Sequence, residues 1–100
     1  MTLIVVKINE QKCRAIIATN FTHSFCGSKL IKNMGIMAQQ LINSPKVTTS
    51  DGTPIEFIGE VEVFIEIGPW KSNGMIPLLV AWDCPADMLI GNDLINVRGN

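Results

Sequence analysis

Apolar, β-rich runs bounded by turn-forming residues recur along the chain, and one of them alternates strictly between apolar and polar, which is the pattern of strands. Leu3-Ile4-Val5-Val6 leads into Lys7-Ile8-Asn9, and Cys13-Arg14-Ala15-Ile16-Ile17 resumes the pattern after Glu10-Gln11-Lys12. A hairpin with its polar turn at residues 10–12 is predicted. The polar Ala18-Thr19-Asn20 follows, then a short mixed run from Thr22 to Cys26 that, alternating as a strand, would point His23 away from the preceding loop. From Ser28 to Gly35 the sequence reads as a brief helix, with Ser28 or Gly27 at the N-cap and Gly35 in the left-handed position beyond its end.

Lys46 to Ser50 and Thr53 to Ile58 are β-capable runs around Asp51-Gly52, a pair that tolerates positive φ and predicts a two-residue hairpin turn. The run Gly59 to Ile67 alternates strictly, with Val61, Val63, Ile65 and Ile67 on one face and Glu60, Glu62, Phe64 and Glu66 on the other. One face of that strand is core and the other mostly wet. Gly68-Pro69 breaks it, and the more uniformly apolar Met75 to Trp82 predicts a strand covered on both faces. Ala86 to Ile95 mixes a short apolar strand with one or two helical turns beginning near Gly91 to Asp93. With no internal linker, low-complexity tract or short repeat, residues 1–100 read as a single, mainly β domain.

Composition narrows the function classes. The 100 residues are 47% hydrophobic and 17% charged, with mean hydropathy +0.29, which suits a small core and leaves apolar surface for a partner, so oligomerisation is expected. A net charge of -1, with basic residues scattered and only weakly grouped around Lys29 and Lys32, argues against a nucleic-acid surface. No apolar run reaches the roughly 18 to 20 residues of a membrane span, and no basic n-region opens the chain, so neither a span nor a secretory signal is expected. Cys13, Cys26 and Cys84 are odd in number and far apart. They form neither metal-ligand spacing nor a disulfide framework, so a reducing, intracellular and cytoplasmic setting is expected, with each cysteine a small buried side chain and no metal or cofactor.

Several of these segments together resemble retropepsin-like aspartic protease domains, especially those of long-terminal-repeat retrotransposons and their domesticated descendants. The family pattern is a hairpin, a hydrophobic pair, Asp-Thr/Ser-Gly, often Ala-Thr-His-Ser-Phe, and a short helix ending in a Gly-hydrophobic pair. Here these positions hold Ile16-Ile17, Ala18-Thr19-Asn20, Phe21-Thr22-His23-Ser24-Phe25, Ser28-Lys29-Leu30 and Met34-Gly35-Ile36. Downstream, a flap hairpin and an Asp-Met/Val-Leu-Ile-Gly segment before a terminal helix correspond to Thr48-Thr49-Ser50-Asp51-Gly52 and Asp87-Met88-Leu89-Ile90-Gly91-Asn92-Asp93. The resemblance covers essentially the whole chain. It implies a closed β-barrel-like acid-protease fold with a flap hairpin and one or two short helices.

The match fails in the catalytic loop. Ala18 stands where the family has its aspartate, and Asn20 where it has glycine. In the family two such loops meet across a dimer axis, and their paired carboxylates share one proton that activates water. A methyl group supplies neither acid nor base. The resemblance also implies that Thr19 reaches across the axis in a reciprocal hydrogen-bond grip, so Ala18, Thr19, Asn20 and Phe21 are the expected homodimer interface and Ser50, Asp51, Gly52 and Thr53 the expected flap over the groove. Asp51, Asp87 and Asp93 read as turn, loop and helix-start residues rather than catalytic ones. Two function classes fit: a non-catalytic homodimerisation and protein-interaction module, or an active endopeptidase in which alanine has replaced the aspartate. The first accounts for the departures at Ala18, Asn20 and Phe21 together; the second accounts for Ala18 alone.

Overall fold

The alternation over Gly59 to Ile67 holds residue by residue in the computed structural model, which describes residues 2–48 and 52–98, the side chains of residues 97 and 98 excepted. Val61, Val63, Ile65 and Ile67 are buried, whereas Glu62 and Phe64 face water. In chain order the elements are β1 (Thr2–Ile8), β2 (Gln11–Ile17), β3 (Phe25–Gly27), α1 (Ser28–Met34), β4 (Phe57–Val63), β5 (Ile65–Ile67), β6 (Trp70–Lys71), β7 (Ile76–Ala81), β8 (Met88–Ile90) and α2 (Asn92–Arg98). The fold is mainly β with two short helices, as the pattern predicts. Among the described residues neither helix is long and apolar enough to cross a membrane.

The eight strands among the described residues belong to one sheet, in the order β4-β7-β3-β8-β2-β1-β5-β6. Strands β4 and β5 thus sit six ladder spacings apart, each about 4.8 Å in a flat sheet. Only Phe64 separates them in the chain. One residue spans about 3.3 Å, so the sheet must curl until its two ends meet. The apolar face inside the curl forms the main core around Val6, Ile8, Val63, Ile65, Leu78, Val80 and Met88, closed by Leu30 and Ile31 of α1 and Leu94 of α2.

Strand β7 shows why its run reads as uniformly apolar. Leu78 and Val80 enter the main core, while Leu79 and Ala81 join Phe25 and Leu89 in a second cluster on the opposite face of the sheet. Each such Leu or Val contributes about 1.5–3 kcal/mol by leaving water. Helix α1 ends as its sequence predicts: Gly35 takes φ 71, its N–H reaches the Lys32 carbonyl at 3.2 Å, and Ile36 N–H reaches Ile31 at 3.1 Å. That pair of bonds is a Schellman closure. The N-cap is Gly27, and the Ser28 hydroxyl instead donates to the Trp82 carbonyl.

Three local expectations are corrected. The first hairpin turns at Asn9-Glu10, not at residues 10–12, because both residues take positive φ (50 and 69) and Ile8 pairs with Gln11. The Gly59 to Ile67 strand changes partner at Phe64, from β7 to β1, while its inside-outside alternation continues through the break. Beyond it, Gly68 (φ 58) and Pro69 do more than end a strand: they turn the chain into the short hairpin that pairs Ile67 with Trp70.

Burial pushes the Cys26 thiol up to about 12, with nearby Cys84 adding to the effect, and raises Cys13 and Cys84 as well. The unfolded chain therefore loses its thiol protons first, at about pH 8.5. Stability is fully present below that pH and falls as pH climbs toward the folded value, by up to about 1.4 kcal/mol per unit for each fully shifted thiol. Urea midpoints measured from about pH 8 to 10.5 are expected to decline, and Cys26→Ala to flatten the decline; an equal slope in that variant would remove Cys26 as its source.

Candidate functional site

The loop after β2 is shaped by backbone bonds. Ala18 N–H donates to the Ile90 carbonyl at 2.9 Å, extending the parallel β2–β8 ladder by one residue, and Phe21 N–H donates back to Ala18 at 3.2 Å, closing a turn over Thr19-Asn20. The segment around the start of α2 then grips it. Asn92 N–H donates to the Phe21 carbonyl at 2.9 Å, and Asn92 Nδ2 to the Thr19 carbonyl at 2.7 Å. Gly91 is required here, because a Cβ would lie 2.7 Å from the His23 carbonyl oxygen and 2.9 Å from that of Phe21.

Ser24 completes the grip. Its hydroxyl accepts from Gly91 N–H at 2.8 Å and donates to Asp93 Oδ1 at 2.5 Å, while Ser24 N–H reaches Asp93 Oδ2 at 3.1 Å. Asp93 Oδ1 also accepts from Leu94 N–H, so one carboxylate holds the loop and opens the helix. Sequence reasoning assigned Asp93 only the helix start and gave Ser24 no role. Their separation of 69 residues explains the omission. Residues Thr22 and His23 lie in a bend, not in the expected strand; β3 begins at Phe25, and His23 Nδ1 lies 2.8 Å from the Thr22 hydroxyl.

An open groove of about 810 Å³ lies over this loop. Ala18, Thr19, Asn20 and Phe21 all line it, together with Thr53 to Glu56 from the flap arm and Trp82, Asp83 and Pro85 from the segment after β7. Phe21 is half-buried, packing edge-on against Phe25 at 6.2 Å, which in turn meets Phe57 at 5.5 Å. This aromatic chain fastens the loop to the second core. Thr19 and Asn20 are exposed.

The flap arms pair through Thr48 and Pro54, with Ile55 N–H donating to Val47 at 2.9 Å. A two-residue turn at Asp51-Gly52 would set Thr48 opposite Ile55, so the observed register is one residue away from the expected one. Of the expected flap residues, Thr53 reaches the groove, Gly52 is exposed at φ 89, and Ser50 and Asp51 lie outside the described residues. The loop contributes a methyl, a hydroxyl and an amide. Among the described residues the carboxylates in the groove lining are Glu56 and Asp83, both exposed and neither on the loop. Among the described residues no three His, Cys, Asp or Glu side chains converge as a metal site would need.

The fold matches solved structures of retroviral-type proteases. EIAV protease in complex with an inhibitor aligns at TM-score 0.75 and 15% identity over 98% of this chain and 88% of that one. The retroviral protease-like domain of Ddi1 from Leishmania major gives 0.69 and 14% over 99% and 78%, and a retropepsin-like aspartic protease from Rickettsia conorii 0.63 and 15% over 94% and 68%. No family model matches the chain, and no curated protein matches it. At these identities the likeness is one of fold: the chain has the retropepsin fold.

Removing the Ser24 hydroxyl strands the buried Gly91 N–H and releases one oxygen of Asp93. Ser24→Ala is expected to lower unfolding free energy by about 1–3 kcal/mol in urea titration, against a near-zero change for the exposed Thr22→Ala. Equal effects in the two variants would remove the clamp from the loop's support.

Proposed function

We propose that residues 1–100 form a single, catalytically inactive retropepsin-like domain that acts as a homodimerisation and protein-interaction module. The observation that carries this reading is Ala18, a methyl group on the loop beneath the groove where retropepsin-like enzymes place their aspartate. Acid-base activation of water needs a titratable group beside the reacting atoms. The loop supplies none, and His23 is turned into a bend with Thr22 as its partner.

Dimerisation follows from symmetry. The resemblance implies that two loops face one another across an axis, and a closed pair then buries the same patch on both copies. The exposed Thr19 and Asn20 suit that contact, since their backbone is already fixed by Asn92 and loses little freedom on pairing. With alanine at position 18 the two copies also avoid bringing like charges together.

The rival reading, an active endopeptidase carrying alanine in place of its aspartate, draws on the intact groove and clamp. Ala18→Asp alone separates the two. An enzyme disabled at one position regains peptide hydrolysis by that change, whereas a domain whose loop has also diverged at Asn20 and Phe21 does not.

The chain itself is expected to leave a mixed peptide library uncut from acid to neutral pH; cleavage that tracks with the protein through purification would overturn the proposal. Sedimentation equilibrium at micromolar concentration is expected to return a dimer. If the Thr19 hydroxyls bond across the axis, two bonds of about 0.5–1.5 kcal/mol each make Thr19→Val raise the dissociation constant about fivefold or more. A monomer throughout the accessible range would refute the dimer.

A further inference from the structure

A second recess lies at the other end of β2 from the Ala18 loop. It is a cleft of about 560 Å³ where the Asn9-Glu10 turn, the Phe64 corner and the β5–β6 hairpin meet, with Asn9, Glu10, Phe64, Glu66, Lys71 and Met75 on its walls. Strand β2 is seven residues long, which at about 3.3 Å per residue sets the two recesses roughly 20 Å apart. Both can be occupied at once.

Three features of the cleft point the same way. Phe64 and Met75 are 49% and 52% exposed, and the Phe64 ring is held outward by its backbone: Asn9 N–H donates to its carbonyl and its N–H donates to Asn9 Oδ1, both at 2.9 Å. The charges are unevenly matched. Glu66 has Lys71 at 3.4 Å and Lys7 as its cross-strand neighbour, whereas Glu10 makes no hydrogen bond or ion pair among the described residues. Lys12 neighbours this hairpin end without lining the cleft. Finally, Glu10 sits at φ 69, a conformation that glycine adopts without steric penalty and glutamate does not. A carboxylate thus occupies this point against the local preference of the turn.

We propose that this cleft is a second docking face, for a segment of a partner protein that sets a lysine or arginine against Glu10 and an aliphatic or aromatic side chain against Phe64 and Met75. Apolar contact supplies the hold, and the unpaired carboxylate selects the sign of the neighbouring charge. The proposal does not depend on the state of the Ala18 loop, so it stands or falls separately from catalytic inactivity.

The test is amide chemical-shift mapping of the full chain with acetyl-Leu-Arg-Leu-Lys-Leu-amide and, in parallel, acetyl-Leu-Glu-Leu-Glu-Leu-amide. The basic peptide is expected to shift Glu10, Phe64, Lys71 and Met75 saturably, and the acidic one to leave them in place. Glu10→Gly is expected to weaken binding about tenfold or more while raising the melting temperature, since it relieves the turn; lost binding then cannot be ascribed to lost folding. Phe64→Ala should weaken binding with the fold retained. Any of three outcomes overturns the proposal: no saturable shift at these amides, an equal response to both peptides, or shifts confined to Ala18 to Phe21. Peptide-free shifts that grow with protein concentration and vanish in Glu10→Gly also overturn it, by assigning the cleft to a second copy of the chain.

Discussion

The covalent tether at Phe64 sets the shape on which everything else depends. Because it joins β4 at one margin of the sheet to β5, six ladder spacings away, the sheet has to curl, and curling gives its two faces different fates. The inner face closes on itself as the main core. The outer face of β7, β3 and β8 is left with Leu79, Ala81, Phe25 and Leu89, a second apolar layer that cannot stay bare. Phe21 from the loop and Ile55 and Phe57 from the flap side cover it, and the groove is the space that remains between those covers.

Shape and chemistry separate cleanly in the loop. Its path is fixed by main-chain bonds and by Ser24, Asn92 and Asp93, none of which involves the side chain at position 18. The side chain at position 18 therefore bears on what the loop can do and not on where it runs.

What the sequence reveals is what depends on neighbours along the chain. Alternation from Val61 to Ile67 marks the inner face, the run from Leu78 to Ala81 marks a strand covered twice, and Gly35 marks the end of α1, each through local stereochemistry or burial. The ordered motifs around Ala18 and Gly91 disclose the fold. The partner change at Phe64 is silent because alternation does not register which strand lies alongside. Glu10 in a left-handed turn hides for a different reason: composition points elsewhere for positive φ, and only the pairing of Ile8 with Gln11 places the turn. The Ser24–Asp93 clamp joins residues 69 apart and carries no local signature. The flap is a register problem, which an Asp-Gly pair signals without determining.

Gly59 bears on how the molecule behaves in a crowded solution. It lies on the outermost strand, β4, beside a bulge, and its missing side chain lets Ala38 and Gln39 lie against that strand, where a Cβ would meet both at 2.8 Å. Gln39 and Glu60 then exchange bonds of 2.7 and 2.9 Å, occupying backbone groups that an incoming chain would otherwise seek. At the opposite margin β6 is only two residues long. Short or capped margins deny a foreign strand its template, so at Glu60 this β-rich fold is guarded against fibrillar addition by one glycine and one glutamine, with the exposed Glu62 adding charge to the same margin.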